Sequence, residues 1–262
     1  MTFAPLTAAP RPAKPDDVWI PVRGKEAGHA ADGYLTVAEA GDAALICVGS
    51  LDGDRLLWTS EAPAGVTTTL WSELFARPEF GQGPVLRAVQ IMDWRAGHRY
   101  CGSCAAELAD CAGYLSRKCP SCDRLYMVGL NPVVLVLVTH EERVLLVRHS
   151  YQLSHKWLLV SGYMESGETF ELAAAREVFE ETGVRLASLA YAGSGPSAFG
   201  DPHVLMAGFE GIAASPEVVV DPVEIEEARW FTREEVLALP EEVKPLRGVL
   251  GRELLDRWTA GG

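Results

Sequence analysis

Residues 162–184 read Gly-Tyr-Met-Glu-Ser-Gly-Glu-Thr-Phe-Glu-Leu-Ala-Ala-Ala-Arg-Glu-Val-Phe-Glu-Glu-Thr-Gly-Val, and the second half of this stretch predicts a helix. At about 100° per residue, Glu177, Glu180 and Glu181 share one face of that helix. Three carboxylates so close together repel one another. Charged helix faces in solvent usually alternate in sign, and the sequence places no cation among these acids. The pattern therefore favours a divalent metal site over an ordinary solvated face.

The flanking residues predict where this helix begins and ends. Thr169 has the side chain of an N-cap, and Gly183 is suited to the C-terminal stop. The same helical period places Leu172, Ala175 and Phe179 opposite the acids. We therefore predict that these three apolar side chains pack into the core of the domain.

The residue types in this stretch also carry a resemblance to a known family. Gly162, Glu168 and the run from Arg176 to Val184 fit the Nudix box at every defining position. A pattern that fixes so many residue types is far more specific than a short glycine motif. The chain thus resembles a Nudix hydrolase, and the resemblance implies hydrolysis of a nucleoside diphosphate linked to a further group.

The resemblance assigns roles to individual residues. It makes Glu177, Glu180 and Glu181 catalytic residues that ligate Mg²⁺ or Mn²⁺, with the carbonyl of Gly162 as a further oxygen ligand. Such cations prefer carboxylate, water and phosphate oxygens. They neutralise the pyrophosphate, orient it and lower the pKa of the attacking water.

Two roles near the metal are assigned separately. Glu168 and Arg176 match the pair that forms a structural salt bridge in the family. The box does not fix the general base, for which Glu181 is the first candidate and a glutamate outside the helix the second.

Upstream, two CxxC pairs predict a second metal site. They are separated by fourteen residues and consist of Cys101, Cys104, Cys119 and Cys122. Four thiolates at this spacing make a closed tetrahedral zinc site with a structural role. Disulfides or a redox pair are the alternative, but two matched pairs without a signal peptide favour zinc. So short a segment has too little core to fold without metal.

Composition bounds the class of protein. The chain has 262 residues, 48% of them hydrophobic, and a formal net charge of −13. This length exceeds one typical domain and allows sizeable cores. The negative charge argues against broad electrostatic binding to nucleic acid. Because neither a membrane-spanning run nor a targeting segment is recognisable, we expect a cytoplasmic protein without a membrane partner.

Composition and pattern divide the chain into four parts. We predict a loose N-terminus rich in Ala and Pro, a small β-rich domain, the four-cysteine zinc ribbon and a Nudix domain. These parts span residues 1–15, 16–98, 99–127 and 128–262, respectively. The expected fold class is α+β with mixed strands: a C-terminal α/β/α sandwich around a mixed sheet, preceded by the ribbon and the β-rich domain.

Alternating and helical patterns place individual elements. Runs at 132–138 and 143–148 predict two strands joined by a turn. Helical patterns at 232–239 and 246–258 close the last domain. In the β-rich domain, a helix is expected near 70–75 or 85–96.

The order of the parts resembles the NADH pyrophosphatase branch of the Nudix family, whose members also remove NAD caps from RNA. Residues 98–102, His-Arg-Tyr-Cys-Gly, match the entry into the ribbon of that branch. The resemblance implies hydrolysis of NAD(H) to NMN(H) and AMP, with NAD-capped RNA as a further substrate. It also implies a homodimer whose active site is shared between chains.

Further residues take their roles from this resemblance. Glu224 falls where the branch has an additional metal-binding glutamate. Tyr163 falls where an aromatic ring stacks on adenine. Tyr126 remains from a Tyr-Tyr-Pro run that contributes to the substrate site, and Ser194 and Phe199 remain from a substrate-recognition array.

That array departs from the family pattern. Residues 194–203 read Ser-Gly-Pro-Ser-Ala-Phe-Gly-Asp-Pro-His, without the glutamine and tryptophan of Ser-Gln-Pro-Trp-Pro-Phe-Pro-x-Ser. The loss of the indole removes a stacking surface. Three hypotheses therefore stay open: an NAD(H) diphosphatase, a Nudix hydrolase of ADP-ribose, a nucleotide sugar or another dinucleotide, and a non-catalytic nucleotide- or RNA-binding regulator. The intact acids weigh against the third.

Overall fold

The computed structural model describes residues 2–74, 77, 79–151, 155–197 and 201–261. The chain divides into two compact units, Met1–Gly129 and Leu130–Gly262. The four cysteines belong to the first unit and the acidic helix to the second. In the described ranges, no helix is both long enough and apolar enough to cross a bilayer.

The first unit contains a seven-stranded sheet. Its strands are β1 (Phe3–Pro5), β2 (Val18–Arg23), β3 (Glu26–Gly28), β4 (Leu35–Thr36), β5 (Ile46–Leu51), β6 (Arg55–Glu61) and β7 (Thr68–Leu70). They follow the order β1-β5-β6-β2-β3-β7, with β4 paired to β2. Helices α1 (Trp71–Leu74) and α2 (Gln82–Gly97) follow. The sequence predicted a helix at one of these two places, and the structure has a helix at each.

The structure corrects the prediction of a loose N-terminus. β1 pairs antiparallel with β5, so the chain enters the sheet almost at its first residue. Arg11 forms an ion pair of 2.6 Å with the buried Asp17. The same carboxylate accepts a hydrogen bond from the backbone N–H of Leu56. The Ala- and Pro-rich composition of residues 1–15 does not reveal this ion pair, because Asp17 lies outside that segment.

The ribbon ends the first unit. It contains the short strands β8 (Ala109–Asp110), β9 (Ser116–Lys118) and β10 (Leu125–Met127) in the order β10-β9-β8. Its small core consists of the buried Cys101, Leu108 and Cys119. With so few apolar residues, hydrophobic burial alone gives this segment little stability.

The second unit is built on a six-stranded mixed sheet. Its strands are β11 (Asn131–His140), β12 (Arg143–His149), β13 (Val160–Tyr163), β14 (Leu186–Pro196), β15 (Val204–Ala213) and β16 (Ile225–Thr232). The order is β14-β15-β11-β12-β16, with β13 also paired to β11. The pair β11 and β15 is parallel, and the other pairs are antiparallel. The predicted hairpin of β11 and β12 is confirmed.

Helices cover both faces of this sheet. They are α3 (Phe170–Thr182), α4 (Arg233–Ala238) and α5 (Leu250–Thr259). Side chains of a strand alternate between faces. Val134 and Val136 of β11 accordingly belong to the core that contains Val178 of α3, whereas Leu135 belongs to the core that contains Leu254 of α5. The predicted α/β/α sandwich with a mixed sheet is thus confirmed.

The two ends of α3 are as predicted. Thr169 caps the helix, since its hydroxyl accepts a hydrogen bond from the backbone N–H of Leu172. Gly183 ends it in the left-handed conformation, with φ of +69°. A residue with a Cβ adopts this conformation only at a cost, which explains the glycine.

The predicted inward face of α3 is wrong. Leu172 and Phe179 are 59% and 44% exposed, and Ala175 is exposed as well. The buried side consists of small residues such as Ala173, beside Val178 and the acids Glu177 and Glu181. Small side chains let the helix approach the sheet closely. The carboxylates of Glu177 and Glu181 lie on the same buried side as the alanines. A hydrophobicity pattern does not predict buried carboxylates.

Candidate active site

Two carboxylates of α3 are buried against the end of β13. Glu177 and Glu181 both have little exposed surface, and Glu181 is only 2% exposed. Gly162 of β13 lies directly opposite Glu177. A Cβ at this position would overlap the Glu177 carboxylate. Glycine is therefore required here for the close approach of strand and helix.

Arg176 braces the acids from the same helix. Its Nε donates to Glu168 Oε1 at 2.6 Å. Its Nη1 donates to Glu177 Oε1 at 2.7 Å and to Glu180 Oε2 at 2.9 Å. Its Nη2 donates to the carbonyl of Tyr163 at 2.9 Å. One guanidinium thus ties the loop before α3 and the end of β13 to the acidic face.

This arrangement corrects the premise that the acidic face carries no cation. Arg176 and Glu180 are four residues apart on the helix and form an ion pair. Arg176 directly precedes the first of the acids in sequence, so it does not stand between them. Glu180 is exposed, whereas Glu181 receives no hydrogen bond from Arg176.

Glu181 is the most deeply buried of the three acids. Burial raises its pKa to about 9, and the nearby charges of Glu177 and Glu224 add to the shift. The only basic group that an ion-pair distance joins to it in the described ranges is His149, whose Nδ1 lies 3.9 Å from Glu181 Oε1. Burial lowers the pKa of His149, which weakens this pairing.

Polar atoms of this pair lack partners. Among the residues that the structure describes, neither Glu181 Oε2 nor His149 Nδ1 has a hydrogen-bond partner. A buried carboxylate oxygen without a partner is costly. A divalent cation would supply the missing partner, because hard cations bind carboxylate oxygens. The donor set around Glu181 therefore fits a metal ion such as Mg²⁺ or Mn²⁺.

One cavity of about 470 Å³ collects the predicted residues of this region. Its lining includes every predicted metal ligand of the second unit and the predicted adenine-stacking residue. These residues are Gly162, Tyr163, Glu177, Glu180, Glu181 and Glu224. Their carboxyl oxygens do not converge as tightly as the cysteine sulfurs: in the described chain, the four cysteines are the group whose ligand atoms all lie within 4.8 Å of one another.

The structure places other residues in the cavity that sequence reasoning missed. Tyr151 and Ser197 line it. Tyr151 belongs to no recognisable motif, and Ser197 lies within the array at 194–203, where the family resemblance assigned it no role. Ser194 is exposed on β14 and is not among the lining residues. Ser197, three positions later, lines the cavity where Ser194 was predicted to do so. Phe199 lies outside the described residues. Only the path of the strands brings Tyr151, which follows β12, to the acids.

In the first unit, the four cysteines form a compact cluster. The distance between the sulfurs of Cys101 and Cys122 is 3.5 Å, and that between Cys104 and Cys119 is 3.4 Å. A disulfide requires about 2.05 Å, so all four are free thiols. Backbone N–H groups donate to two of the sulfurs. This geometry excludes the disulfide alternative and suits a tetrahedral metal ion.

Tyr126 belongs to this cluster. Its hydroxyl accepts a hydrogen bond from the backbone N–H of Gly102 at 2.9 Å and lies 3.2 Å from the sulfur of Cys101. The residue thus braces the first CxxC turn. Its role in substrate binding stays a prediction.

Comparison with known proteins identifies the family. The NUDIX domain matches residues 129–252. A Deinococcus radiodurans protein named NAD-capped RNA hydrolase NudC is 33% identical, over 95% of this chain and 92% of its own length. A protein of the same name from Stutzerimonas stutzeri is 36% identical, over 81% of this chain and 76% of its own length.

A solved structure agrees on the fold. The crystal structure of a NUDIX hydrolase from Nitrosomonas europaea is 22% identical, with a TM-score of 0.50 over 62% of this chain and 90% of that chain. The fold and the acidic cavity are those of a metal-dependent hydrolase. The chain belongs to the Nudix hydrolase family. The resemblance seen in residues 162–184 is thereby confirmed.

The raised pKa of Glu181 makes the stability of the metal-free protein depend on pH. In the unfolded chain the carboxyl has an ordinary pKa of 4.5. Between that value and about 9 the folded state therefore binds more protons, and stability falls as pH rises. Glu181→Gln should remove a slope of up to about 1.4 kcal/mol per pH unit. Urea unfolding without added Mg²⁺ or Mn²⁺, from about pH 5 to about pH 8, measures this slope.

The control for this prediction is Glu180→Gln, because Glu180 is exposed. This variant should keep the wild-type slope. Identical pH dependence in wild type and Glu181→Gln would contradict the burial of an ionisable group at this position.

Gly162→Ala should displace the Glu177 carboxylate, since the added methyl group overlaps it. We expect the affinity for Mn²⁺ to fall about tenfold or more, as for other residues that position ligands. Calorimetric titration measures the effect. Gly251→Ala is the matched control, because a Cβ there would meet Leu135 Cδ2 at an ordinary 3.5 Å. Unchanged Mn²⁺ affinity in Gly162→Ala would remove Glu177 from the metal site.

Proposed function

We propose that this Nudix hydrolase cleaves the pyrophosphate bond of NAD(H), giving NMN(H) and AMP, in the domain that spans residues 128–262. The observation that carries the proposal is the buried carboxylate of Glu181, whose Oε2 has no hydrogen-bond partner among the described residues, in a cavity that Glu177 and Glu224 also line. Relatives named NAD-capped RNA hydrolase support NAD as the nucleotide and NAD-capped RNA as a further substrate.

The residues of the cavity suit metal-assisted hydrolysis. Mg²⁺ or Mn²⁺ supplies charge neutralisation of the pyrophosphate and a bound water of lowered pKa. Glu177, Glu181 and Glu224 would hold the cation, with Glu180 at the rim and the carbonyl of Gly162 as a further ligand. Water then attacks one phosphorus, the bridging P–O bond breaks, and AMP and NMN leave.

Glu181 is the proposed general base. One oxygen of its carboxylate would hold the cation, and Oε2, which has no hydrogen-bond partner among the described residues, would accept the proton of the attacking water. Arg176 cannot take this role because it stays protonated, and its bonds to Glu168 and Glu177 give it a structural one. Glu224 is the alternative base, since it lines the same cavity.

Aromatic contacts would hold the rest of the substrate. Tyr163 is 56% exposed at the cavity, and its carbonyl is fixed by Arg176. We propose that its ring stacks on adenine. Tyr126, Ser194 and Phe199 remain proposed substrate contacts.

One observation favours a second candidate substrate. Ser194 lies outside the cavity lining, and the array around it lacks the glutamine and tryptophan of the branch. A shifted specificity toward ADP-ribose, a nucleotide sugar or another dinucleotide is therefore the alternative on the same catalytic acids.

A substrate panel with Mg²⁺ or Mn²⁺, with products identified by mass, tests the proposal. We expect metal-dependent release of AMP from NADH. Glu181→Gln should lower kcat/KM at least about a hundredfold, as expected for loss of a general base. Glu253→Gln, an exposed glutamate of α5, is the control. Much faster cleavage of ADP-ribose or a nucleotide sugar would favour the alternative, and no cleavage of any compound would contradict a hydrolase.

We infer that the four cysteines hold one structural Zn²⁺ and that the chain works in the reducing cytoplasm, where free thiols persist. Cys119→Ser should abolish zinc binding and unfold the ribbon, because the ribbon core is small. Elemental analysis and thermal unfolding measure both effects. Cys111→Ser should keep one equivalent of zinc, since Cys111 is outside the cluster. Zinc retained in Cys119→Ser would contradict the site.

We infer a homodimer in which the β10 edge of the ribbon sheet meets the same edge of a second copy. Leu125 and Met127 are exposed on β10, which is an edge strand of the ribbon sheet. An exposed apolar edge favours pairing with an identical edge about a two-fold axis. Met127→Glu should convert the dimer to a monomer in light scattering, whereas Leu237→Glu on α4 should not. A monomeric wild type would contradict the proposal.

A further inference from the structure

Tyr151 is an aromatic residue in the acidic cavity to which the catalytic scheme gives no role. It directly follows β12 and is 69% exposed, yet it lines the same cavity as Glu177, Glu181 and Tyr163. A tyrosine whose function is packing buries its ring. This one presents its ring at the cavity instead.

The backbone before Tyr151 is tied to the loop that carries Glu224. The N–H of Ser150 donates to the carbonyl of Glu224 at 2.9 Å. The hydroxyl of Ser150 donates to the carbonyl of Val223 at 2.6 Å. These two bonds fix the start of the Tyr151 segment beside a proposed metal ligand.

The ring of Tyr151 also rests on a fixed support. Its centroid lies 5.1 Å from that of the His149 imidazole, with 32° between the ring planes. His149 is itself buried next to Glu181. An aromatic side chain held in this way loses little conformational freedom when a ligand stacks on it.

The electrostatics agree with a position close to the reacting groups. Partial burial raises the pKa of the Tyr151 phenol, and the charges of Glu181 and Glu224 raise it further. Tyr163 acts on Tyr151 in the same direction. Both tyrosines therefore lie within electrostatic reach of one another at one cavity.

We propose that Tyr151 is a specificity-determining residue whose ring stacks on a planar heteroaromatic ring of the substrate, as a partner to Tyr163. A dinucleotide carries two such rings joined through the pyrophosphate, and the cavity offers one tyrosine for each. This inference rests on the proposed function, in which the pyrophosphate lies at the metal-binding acids.

Steady-state kinetics on NADH test the proposal with three substitutions. Tyr151→Leu keeps an apolar side chain but removes the planar ring, and Tyr151→Ala removes both. Each should raise KM about tenfold, the typical cost of losing one stacked base, and leave kcat within about twofold. Tyr151→Phe should restore the wild-type KM. Tyr191→Leu is the matched control, because Tyr191 is equally exposed but does not line the cavity.

Binding of the two products identifies the ring and does not depend on turnover. Calorimetry with AMP and with NMN, each in Mg²⁺, should show about tenfold weaker binding of one of them to Tyr151→Leu. Loss of NMN binding assigns Tyr151 to nicotinamide, and loss of AMP binding assigns it to adenine.

Failure of this inference differs from failure of the proposed function. Wild-type protein that does not cleave NADH would refute the proposed function, while the product titrations would still test the stacking. Unchanged KM and unchanged binding of both products in Tyr151→Leu would overturn the stacking role. A fall in kcat beyond about twofold with unchanged KM would overturn it too, because the residue would then act in the chemical step. A Tyr151→Phe variant as defective as Tyr151→Ala would also overturn it, because the hydroxyl rather than the ring would then matter.

Discussion

The burial of two carboxylates between a helix and a strand is the constraint on which the site depends. Glu177 and Glu181 turn toward the sheet, where an ionised group without a partner is costly. Arg176 offsets part of that cost at Glu177, but it does not reach Glu181. The ionised carboxylate of Glu181 therefore requires a positively charged partner. A divalent cation with its oxygen-only chemistry meets that demand.

The fold supplies this arrangement through close packing. Alanines on the inner side of α3 let the helix lie near β13, and Gly162 leaves the space that the Glu177 carboxylate fills. Glu224 lines the same cavity from the loop before β16. The backbone N–H of Ser150, which follows β12, donates a hydrogen bond to the carbonyl of Glu224 in this loop. The site is therefore assembled from elements that are distant in sequence but line one cavity.

Local sequence patterns predicted much of this and missed what depends on tertiary packing. The caps at Thr169 and Gly183, the mixed sheet and the cysteine cluster follow from local chemistry. The inward face of α3 was predicted wrongly. A ranking of its residues by hydrophobicity places Leu172 and Phe179 in the core, whereas this helix buries the acids of its functional site instead. Tyr151 has no motif, since its place at the cavity is set by the strands around it.

In the proposed function, the buried acids bind a divalent cation at the cleavage site. Anomalous diffraction from crystals soaked in Mn²⁺ locates such a cation. We expect a peak within coordination distance of the carboxylates of Glu177 and Glu181 and of the Gly162 carbonyl. Full Mn²⁺ occupancy elsewhere on the chain, with no peak at Glu181, would contradict it.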